Sequence, residues 1–258
     1  MFGLGLLVAW ATWARMDIWP IYQEKVFHLS ILILTLLMTK SRTTLIAVFL
    51  GVLTIEWLRP RLGWRRLMRV SGMVAVCLVL VFVPGFDATW TRGNEEAIDT
   101  LSGRLPLWEN LLQIISGHLW GGLGYGALWS PKIVQAFSSH WTPTATHNGY
   151  LELVADLGLV GLLLSFVITG LSVWNGLKLT RYPEYREIGI ALVALIVASL
   201  VVSMGMSWYL ERFQEYPSIV VLGLSVYVAH CLTALQQKVN TQGSGVTAPQ
   251  TYRKEAIS

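Results

Sequence analysis

Charged residues are scarce in this chain. They make up 13% of its 258 residues, whereas 54% of the residues are hydrophobic. An ordinary soluble domain carries about 25% charged residues, so the composition excludes that class and indicates an integral membrane protein. The apolar residues fall in blocks of helical length without strand-like alternation, and we therefore expect the spans to be α-helices.

Cysteine and clustered metal ligands are also nearly absent. The two cysteines, Cys77 and Cys231, both lie in apolar segments, which makes a disulfide framework improbable. His140 and His147 have no cysteine or acidic partner at metal-binding spacing, so we predict no metal and no cofactor. The net charge of +4 comes from basic residues beside apolar spans, where they set orientation rather than bind nucleic acid.

The apolar blocks predict an all-α fold, a polytopic transmembrane helical bundle of about six to seven spans in a single membrane domain. The predicted spans are 2–14 (partial), 26–39, 43–58, 70–84, 150–177, 188–207 and 218–235. Five arginines between Arg59 and Arg69 form the strongest basic cluster, which the positive-inside rule places in the cytoplasm. Residues 85–146 then form a long external loop, and residues 236–258 a disordered cytoplasmic tail.

The external loop contains two recognisable parts. The apolar periodicity of Leu105–Ile115 predicts an amphipathic helix at the membrane interface. The stretch GHLWGGLGYGALW that follows is rich in glycine, and its backbone can approach a ligand closely or form a flexible loop packed on the membrane. The external tryptophans fit either an aromatic belt or stacking on sugar rings: Trp90, Trp108, Trp120, Trp129, Trp141 and Trp208.

His147 stands between the external loop and the apolar span that begins at Tyr150. A neutral imidazole can accept a proton from a sugar hydroxyl near neutral pH, so His147 is the candidate catalytic base. A purely structural histidine is the alternative interpretation. Asn148 is expected either to orient His147 or to cap the helix that follows.

Three arginines fall near the same external face: Arg42, Arg104 and Arg212. Guanidinium groups bind phosphate oxygens in a bidentate manner and keep their charge, which suits the pyrophosphate of a lipid-linked substrate. The alternative is that each arginine extends to lipid headgroups without binding substrate.

Glu152 and Asp156 are four residues apart and share a helix face below His147. Carboxylates inside a span are costly, so we expect them to hold the histidine tautomer, to pair with Arg42 or Arg212, or to bind an acceptor sugar. A charged first turn stabilised by the helix N-terminus is the alternative. Gly158 is expected to allow close helix contact.

Three motifs together resemble the O-antigen ligase and O-antigen polymerase superfamily. They are SRTTL at 41–45, SGRLPLWENLLQIISGHLWGGLGYGALW at 102–129 and THNGYLELVADLGLVG at 146–161. The superfamily consists of bacterial inner-membrane glycosyltransferases that use undecaprenyl-pyrophosphate-linked glycans. The resemblance extends from Val26 to Tyr227.

The resemblance implies an all-α, multi-pass enzyme whose long periplasmic loop carries a metal-independent site. It implies that His147 is the base or acceptor-orienting group and that Arg104 and Arg42 contact the pyrophosphate. The expected partners are the undecaprenyl-pyrophosphate-linked glycan donor, a lipid A core or other glycan acceptor, and membrane lipids. Family members usually have more spans than are predicted here, so we expect a C-terminal portion of a longer enzyme or a short member.

The expected function is that of an O-antigen ligase, which transfers a glycan to lipid A core at the periplasmic face. An O-antigen or exopolysaccharide polymerase and a protein O-oligosaccharyltransferase are alternatives that differ only in the acceptor. Outside enzymes, a lipid or polysaccharide transporter and an inactive membrane scaffold are the other hypotheses. Ionisable residues gathered at one face, rather than at mid-span, favour an enzyme.

Overall fold

A computed structural model describes residues 42–59, 71–72, 104–130, 133, 146–205 and 216–243, and of residues 42, 216–220 and 238–243 it describes the backbone alone. Five α-helices lie in these ranges: α1 (Arg42–Leu58), α2 (Arg104–Ile115), α3 (Gly149–Leu179), α4 (Arg186–Ser203) and α5 (Tyr216–Gly243). Two short 3-10 helices, Ser116–His118 and Ala127–Trp129, lie between α2 and α3. No strand occurs in these ranges, and the all-α prediction is confirmed.

Two of the described helices are long and apolar enough to cross a membrane, namely Gly149–Leu179 and Arg186–Ser203. Shorter apolar helices cover Thr43–Leu58 and Val221–Gln237. The predicted spans 2–14 and 26–39, nearly all of 70–84, Arg212 and the tail beyond 243 lie outside the described residues. The count of six to seven spans therefore stays a prediction.

The main core surrounds α4, whose residues are apolar on every side. A helix that is hydrophobic all round lies either in a protein core or against lipid. Around α4 the packing partners are helices α1, α3 and α5, and α1 contributes Ala47, Val48, Val52 and Ile55, which are all buried. Most of α4 is consequently shielded, whereas much of α3 beyond its first turns presents large apolar side chains to the exterior.

Contacts at both ends show that α4 runs antiparallel to α1 and to α3. At one end, Gly205 lies so close to Thr43 that an added Cβ would be 2.7 Å from Oγ1 of Thr43. At the same end, Oη of Tyr150 donates a 2.7 Å hydrogen bond to the carbonyl of Leu200. We call this the His147 end, because the starts of α1 and α3 meet the end of α4 there.

The opposite end of the bundle is defined by contacts near the start of α4. Arg59 donates a 3.0 Å hydrogen bond from Nη2 to Oε2 of Glu187. A Cβ on Gly189 would lie 2.5 Å from the carbonyl oxygen of Gly176, so α3 and α4 pack with their backbones in contact. We call this the Glu187 end.

Helix α2 forms where the amphipathic helix was predicted. Its buried residues are Leu107, Leu111 and Ile115, spaced four apart on one stripe. They pack with Leu128 and with Val154 of α3 in a second hydrophobic cluster. This cluster holds the segment between α2 and α3 against the start of α3.

Helix α5 differs from the prediction at its C-terminal end. The last span was expected to end at 235 and to be followed by a disordered tail, but the helix continues to Gly243. Gln236, Gln237 and Lys238 are good helix formers, so a polar composition does not stop the helix there.

Candidate functional site

Asn148 is the N-cap of helix α3. Its backbone is extended, and its Oδ1 accepts hydrogen bonds from the backbone N–H groups of Tyr150 (3.1 Å) and Leu151 (3.2 Å). These are two of the N–H groups that a helix start leaves without an intrahelical partner. Of the two roles considered for Asn148, the geometry therefore shows capping.

His147 immediately precedes this cap and has a φ angle of 53°. A left-handed backbone is uncommon for a residue other than glycine, although histidine adopts it more readily than most. A hydrogen bond connects the two residues that flank His147: Oγ1 of Thr146 accepts a 3.1 Å hydrogen bond from the backbone N–H of Asn148. The imidazole is therefore attached to a hydrogen-bonded turn at the start of α3.

Glu152, one turn into α3, is fully buried. Its Oε1 accepts a 2.7 Å hydrogen bond from Nε1 of Trp129, and its Oε2 lies 2.9 Å from Oγ1 of Thr146. Trp108 on α2 donates a 2.8 Å hydrogen bond from Nε1 to the carbonyl of Thr146. Two indoles and a carboxylate thus join α2, the second 3-10 helix and the start of α3 around His147.

These contacts involve residues that the sequence did not single out for a supporting role near His147. The sequence predicts Trp108 and Trp129 only as membrane-belt or sugar-stacking residues. Their polar groups instead support the backbone and the carboxylate beside His147. The spacing of an indole with respect to a distant carboxylate carries no local signal, so sequence patterns could not reveal these pairs.

The charge of Arg104 acts on His147 although the two residues are 43 positions apart in the chain. Burial lowers the pKa of His147, the positive charge of Arg104 lowers it further, and the negative charge of Glu152 opposes both effects. Burial also lowers the pKa of Arg104. The site therefore favours a neutral imidazole beside a guanidinium group.

Helix α3 is interrupted at Gly158, where φ is 69° and ψ is −172°. The glycine-rich segment docks into this break. The backbone N–H groups of Leu123 and Gly124 donate to the carbonyls of Ala155 (2.7 Å) and Asp156 (3.0 Å). On the other side of the break, Leu159 donates to the carbonyl of Leu119 (2.7 Å) and Val160 to that of Trp120 (3.4 Å). The backbone groups that form no hydrogen bond within the interrupted helix thus form hydrogen bonds with the glycine-rich segment.

The close approach explains two glycines. A Cβ on Gly158 would lie 2.2 Å from the carbonyl oxygen of Trp120, and a Cβ on Gly122 would lie 2.5 Å from the carbonyl carbon of Asp156. Both residues also have positive φ angles, 69° and 70°. Gly158 was expected to permit helix–helix contact, but it permits contact between a broken helix and a loop.

Asp156 stabilises the same loop. Its carboxylate is buried, and Oδ2 accepts a 2.8 Å hydrogen bond from the backbone N–H of Gly126, whose φ is 72°. Glu152 and Asp156, which were predicted to share one face, therefore bind successive parts of the segment between α2 and α3. Their observed partners there are an indole and a backbone amide.

Arg42 is the first residue of α1. Its neighbour Thr43 contacts Gly205 at the His147 end, so the backbone of Arg42 lies at the end of the bundle that carries His147. Arg212 lies outside the described residues. Within the described ranges, no group of three or more histidine, cysteine, aspartate or glutamate side chains is arranged to hold a metal ion.

A family model described as O-antigen ligase matches residues 27–166, just over half of the chain. The match covers α1, α2, His147 and the start of α3, and it ends at 166 rather than at Tyr227, where the resemblance was expected to end. Comparisons with curated proteins and with solved structures give no significant match.

Proposed function

We propose that this chain, which belongs to the O-antigen ligase family, transfers a glycan from an undecaprenyl-pyrophosphate donor to an acceptor hydroxyl. The family is of the ligase or polymerase type of glycosyltransferase, and the apolar helices fit an integral membrane protein. We assign the chain to the bacterial inner membrane, the reaction to its periplasmic face and the acceptor to lipid A core. The observation that carries the proposal is the placement of His147 at the capped start of α3, near the buried carboxylate of Glu152, where the charge of Arg104 also lowers the pKa of the imidazole.

In the proposed reaction, the acceptor hydroxyl attacks the anomeric carbon of the donor while His147 takes the hydroxyl proton. A new glycosidic C–O bond forms, and the bond between the anomeric carbon and the pyrophosphate oxygen breaks. The pyrophosphate leaves with the electron pair of that bond. Arg104, together with Arg42 and Arg212, stabilises the negative charge that develops on it.

The opposing charges around His147 suit a base that must gain and then release a proton. Burial and Arg104 favour the neutral imidazole before the reaction, and Glu152 stabilises the imidazolium that forms when the proton arrives. Thr146 and Asn148 fix the backbone from which His147 projects. We therefore propose Glu152, Asp156 and Asn148 as supporting residues rather than as groups that contact substrate.

The test is the replacement H147A in the whole chain, assayed in proteoliposomes for transfer from a lipid-linked donor. We expect a loss of about 10²–10⁴-fold, which is the usual contribution of a general base. The matched control is H118A, because His118 is an exposed histidine of the neighbouring 3-10 helix. Wild-type transfer by H147A, present in the membrane at the level of H118A, would contradict the proposal.

The acceptor is tested separately from the chemistry. The same assay offers lipid A core, a second lipid-linked glycan and a protein carrying serine and threonine. Transfer to lipid A core alone supports the ligase assignment, transfer to the second glycan identifies a polymerase, and transfer to protein identifies an O-oligosaccharyltransferase.

One observation favours a different function, the movement of a lipid-linked glycan across the membrane. Interrupted helices such as α3 are common in transporters, where the open backbone groups at the break bind substrate or ions. In this chain the four backbone groups named at the break bind the glycine-rich loop instead, which favours an enzyme. Translocation of a labelled lipid-linked glycan in the proteoliposomes, without transfer to acceptor, would support the transporter.

A further inference from the structure

A polar groove lies at the Glu187 end of the bundle, between the last turns of α3 and the middle of α5. Its volume is about 440 Å³. Its polar lining includes Asn175, Lys178, Arg181, Thr233 and Gln236. It is therefore remote from His147, and the proposed glycan transfer makes no use of it.

Two cations, Lys178 and Arg181, dominate the charge of this groove. Within the described ranges, neither forms an ion pair, whereas Arg59 at the same end pairs with Glu56 and Glu187. Unpaired cations in a concave site can bind an anion without first losing a carboxylate partner.

The carbonyl groups at the end of α3 do not need these cations. The backbone N–H groups of residues 180, 181 and 182 donate to the carbonyls of Gly176, Lys178 and Leu179, and the hydroxyl of Thr180 donates to that of Leu177. Nε of Arg186 donates a 3.0 Å hydrogen bond to the carbonyl of Thr180. The charge of Lys178 and Arg181 is thus not required to complete the helix end.

Trp174 lies where the groove meets the exposed apolar surface of α3. Its indole is 56% exposed, and Nζ of Lys178 lies 5.4 Å from the centroid of the indole ring. A tryptophan beside a lysine that extends past it is typical of the lipid headgroup level. The exposed apolar side chains of α3 continue from there towards Gly158 and include Leu163, Leu164, Val167, Ile168 and Leu171.

We infer that this groove binds the phosphodiester headgroup of an anionic membrane lipid. Lys178 and Arg181 contact the phosphate oxygens, Asn175, Thr233 and Gln236 offer hydrogen bonds to the polar part of the headgroup, and the acyl chains lie along the exposed face of α3. The continuity of the groove with an apolar surface selects a lipid over a soluble phosphate. The inference is independent of the proposed glycosyl transfer.

The test measures binding of phosphatidylglycerol and phosphatidylcholine to the purified whole chain in detergent, by mass spectrometry of the intact complex. We expect the wild type to prefer phosphatidylglycerol and the variant K178Q/R181Q to bind it about 30-fold more weakly, because each basic group at a membrane surface contributes about five-fold. The control R65Q/R66Q removes the same charge from the basic cluster of the sequence. Equal losses in both variants would overturn the inference in favour of unspecific surface charge.

A second variant guards against a simple folding defect. T233W keeps both cations and adds bulk from the exposed side of α5 into the groove. We expect it to weaken phosphatidylglycerol binding while glycan transfer and the thermal unfolding midpoint without added lipid stay unchanged. Unchanged lipid binding by T233W would overturn the inference, as would displacement of the lipid by millimolar glycerol phosphate, which would indicate a soluble-anion site.

Discussion

The indole nitrogen of Trp129 donates a 2.7 Å hydrogen bond to Glu152, linking the second 3-10 helix to the first turns of α3. The same carboxylate lies 2.9 Å from Oγ1 of Thr146, next to His147. The carboxylate is fully buried, and its charge raises the pKa of His147. The segment between α2 and α3 and the electrostatics of His147 therefore depend on one side chain.

Replacing Glu152 tests whether its negative charge raises the pKa of His147. E152Q keeps the shape of the side chain but removes the negative charge that raises the pKa of His147. The pKa of His147 then falls, so the acid limb of the pH–rate profile for glycan transfer should move to lower pH. The maximal rate should also fall, because the imidazolium formed in the reaction loses its counter-charge.

The control for this prediction is E109Q, since Glu109 is an exposed carboxylate on α2. It should leave the pH–rate profile in place. An acid limb that stays fixed in E152Q, at wild-type protein level, would mean that Glu152 does not set the charge of the base.

Replacing Arg104 should move the acid limb of the pH–rate profile to higher pH, opposite to the effect of E152Q. The positive charge of Arg104 lowers the pKa of His147, so R104Q should raise that pKa and shift the acid limb to higher pH. R104Q should also raise the KM for the lipid-linked donor, because a pyrophosphate contact is lost. R104K restores the charge but not the bidentate geometry, so its acid limb should lie near that of the wild type while its KM stays raised.

Both measurements come from one series of initial rates over pH and donor concentration. A shift of the acid limb without any change in KM would leave Arg104 as an electrostatic neighbour of His147 and would remove it from the donor site. No change in either quantity would show that the two side chains are not coupled in the working enzyme.

Adding a methyl group at Gly158, where α3 is interrupted, should strongly lower the stability of the protein. G158A places a Cβ 2.2 Å from the carbonyl oxygen of Trp120 at a residue whose φ is 69°. We expect a loss of at least about 2 kcal/mol of stability, from the strained backbone and the displaced loop together. The measurement is the thermal unfolding midpoint of the purified protein in detergent.

Gly121 offers a matched control in the same loop. A Cβ on this residue meets no atom within 4 Å, so G121A should leave the unfolding midpoint unchanged. If G158A were as stable as G121A, the loop would not be docked in the break as described.

The helices were largely predictable because they depend on local patterns. The apolar runs give α1, α3 and α4 within a few residues of their observed bounds, and the spacing of Leu107, Leu111 and Ile115 predicts α2. The continuation of α5 beyond residue 235 was not predicted, because a polar composition alone does not distinguish a helix rich in glutamine and lysine from a disordered tail.

The site was predictable only in part. The chemistry of its side chain distinguishes His147 in the sequence, whereas the effect of Arg104 on its pKa comes only from the structure. The break at Gly158 was not predicted, because the apolar sequence continues on both sides of it. A glycine inside an apolar run does not by itself indicate that a helix is interrupted. The supporting bonds of Trp108 and Trp129 join residues 38 and 23 positions apart, and no local periodicity encodes such distances.

The docking of the loop into α3 bears on how the protein enters the membrane. A span interrupted at Gly158 would expose backbone N–H and C=O groups to lipid, at a cost of several kcal/mol for each group. The residues that form hydrogen bonds with those groups precede α3 in the chain and therefore leave the ribosome first. They are Leu119, Trp120, Leu123 and Gly124. Synthesis from the N-terminus thus makes the partner of the break available before the broken helix is complete.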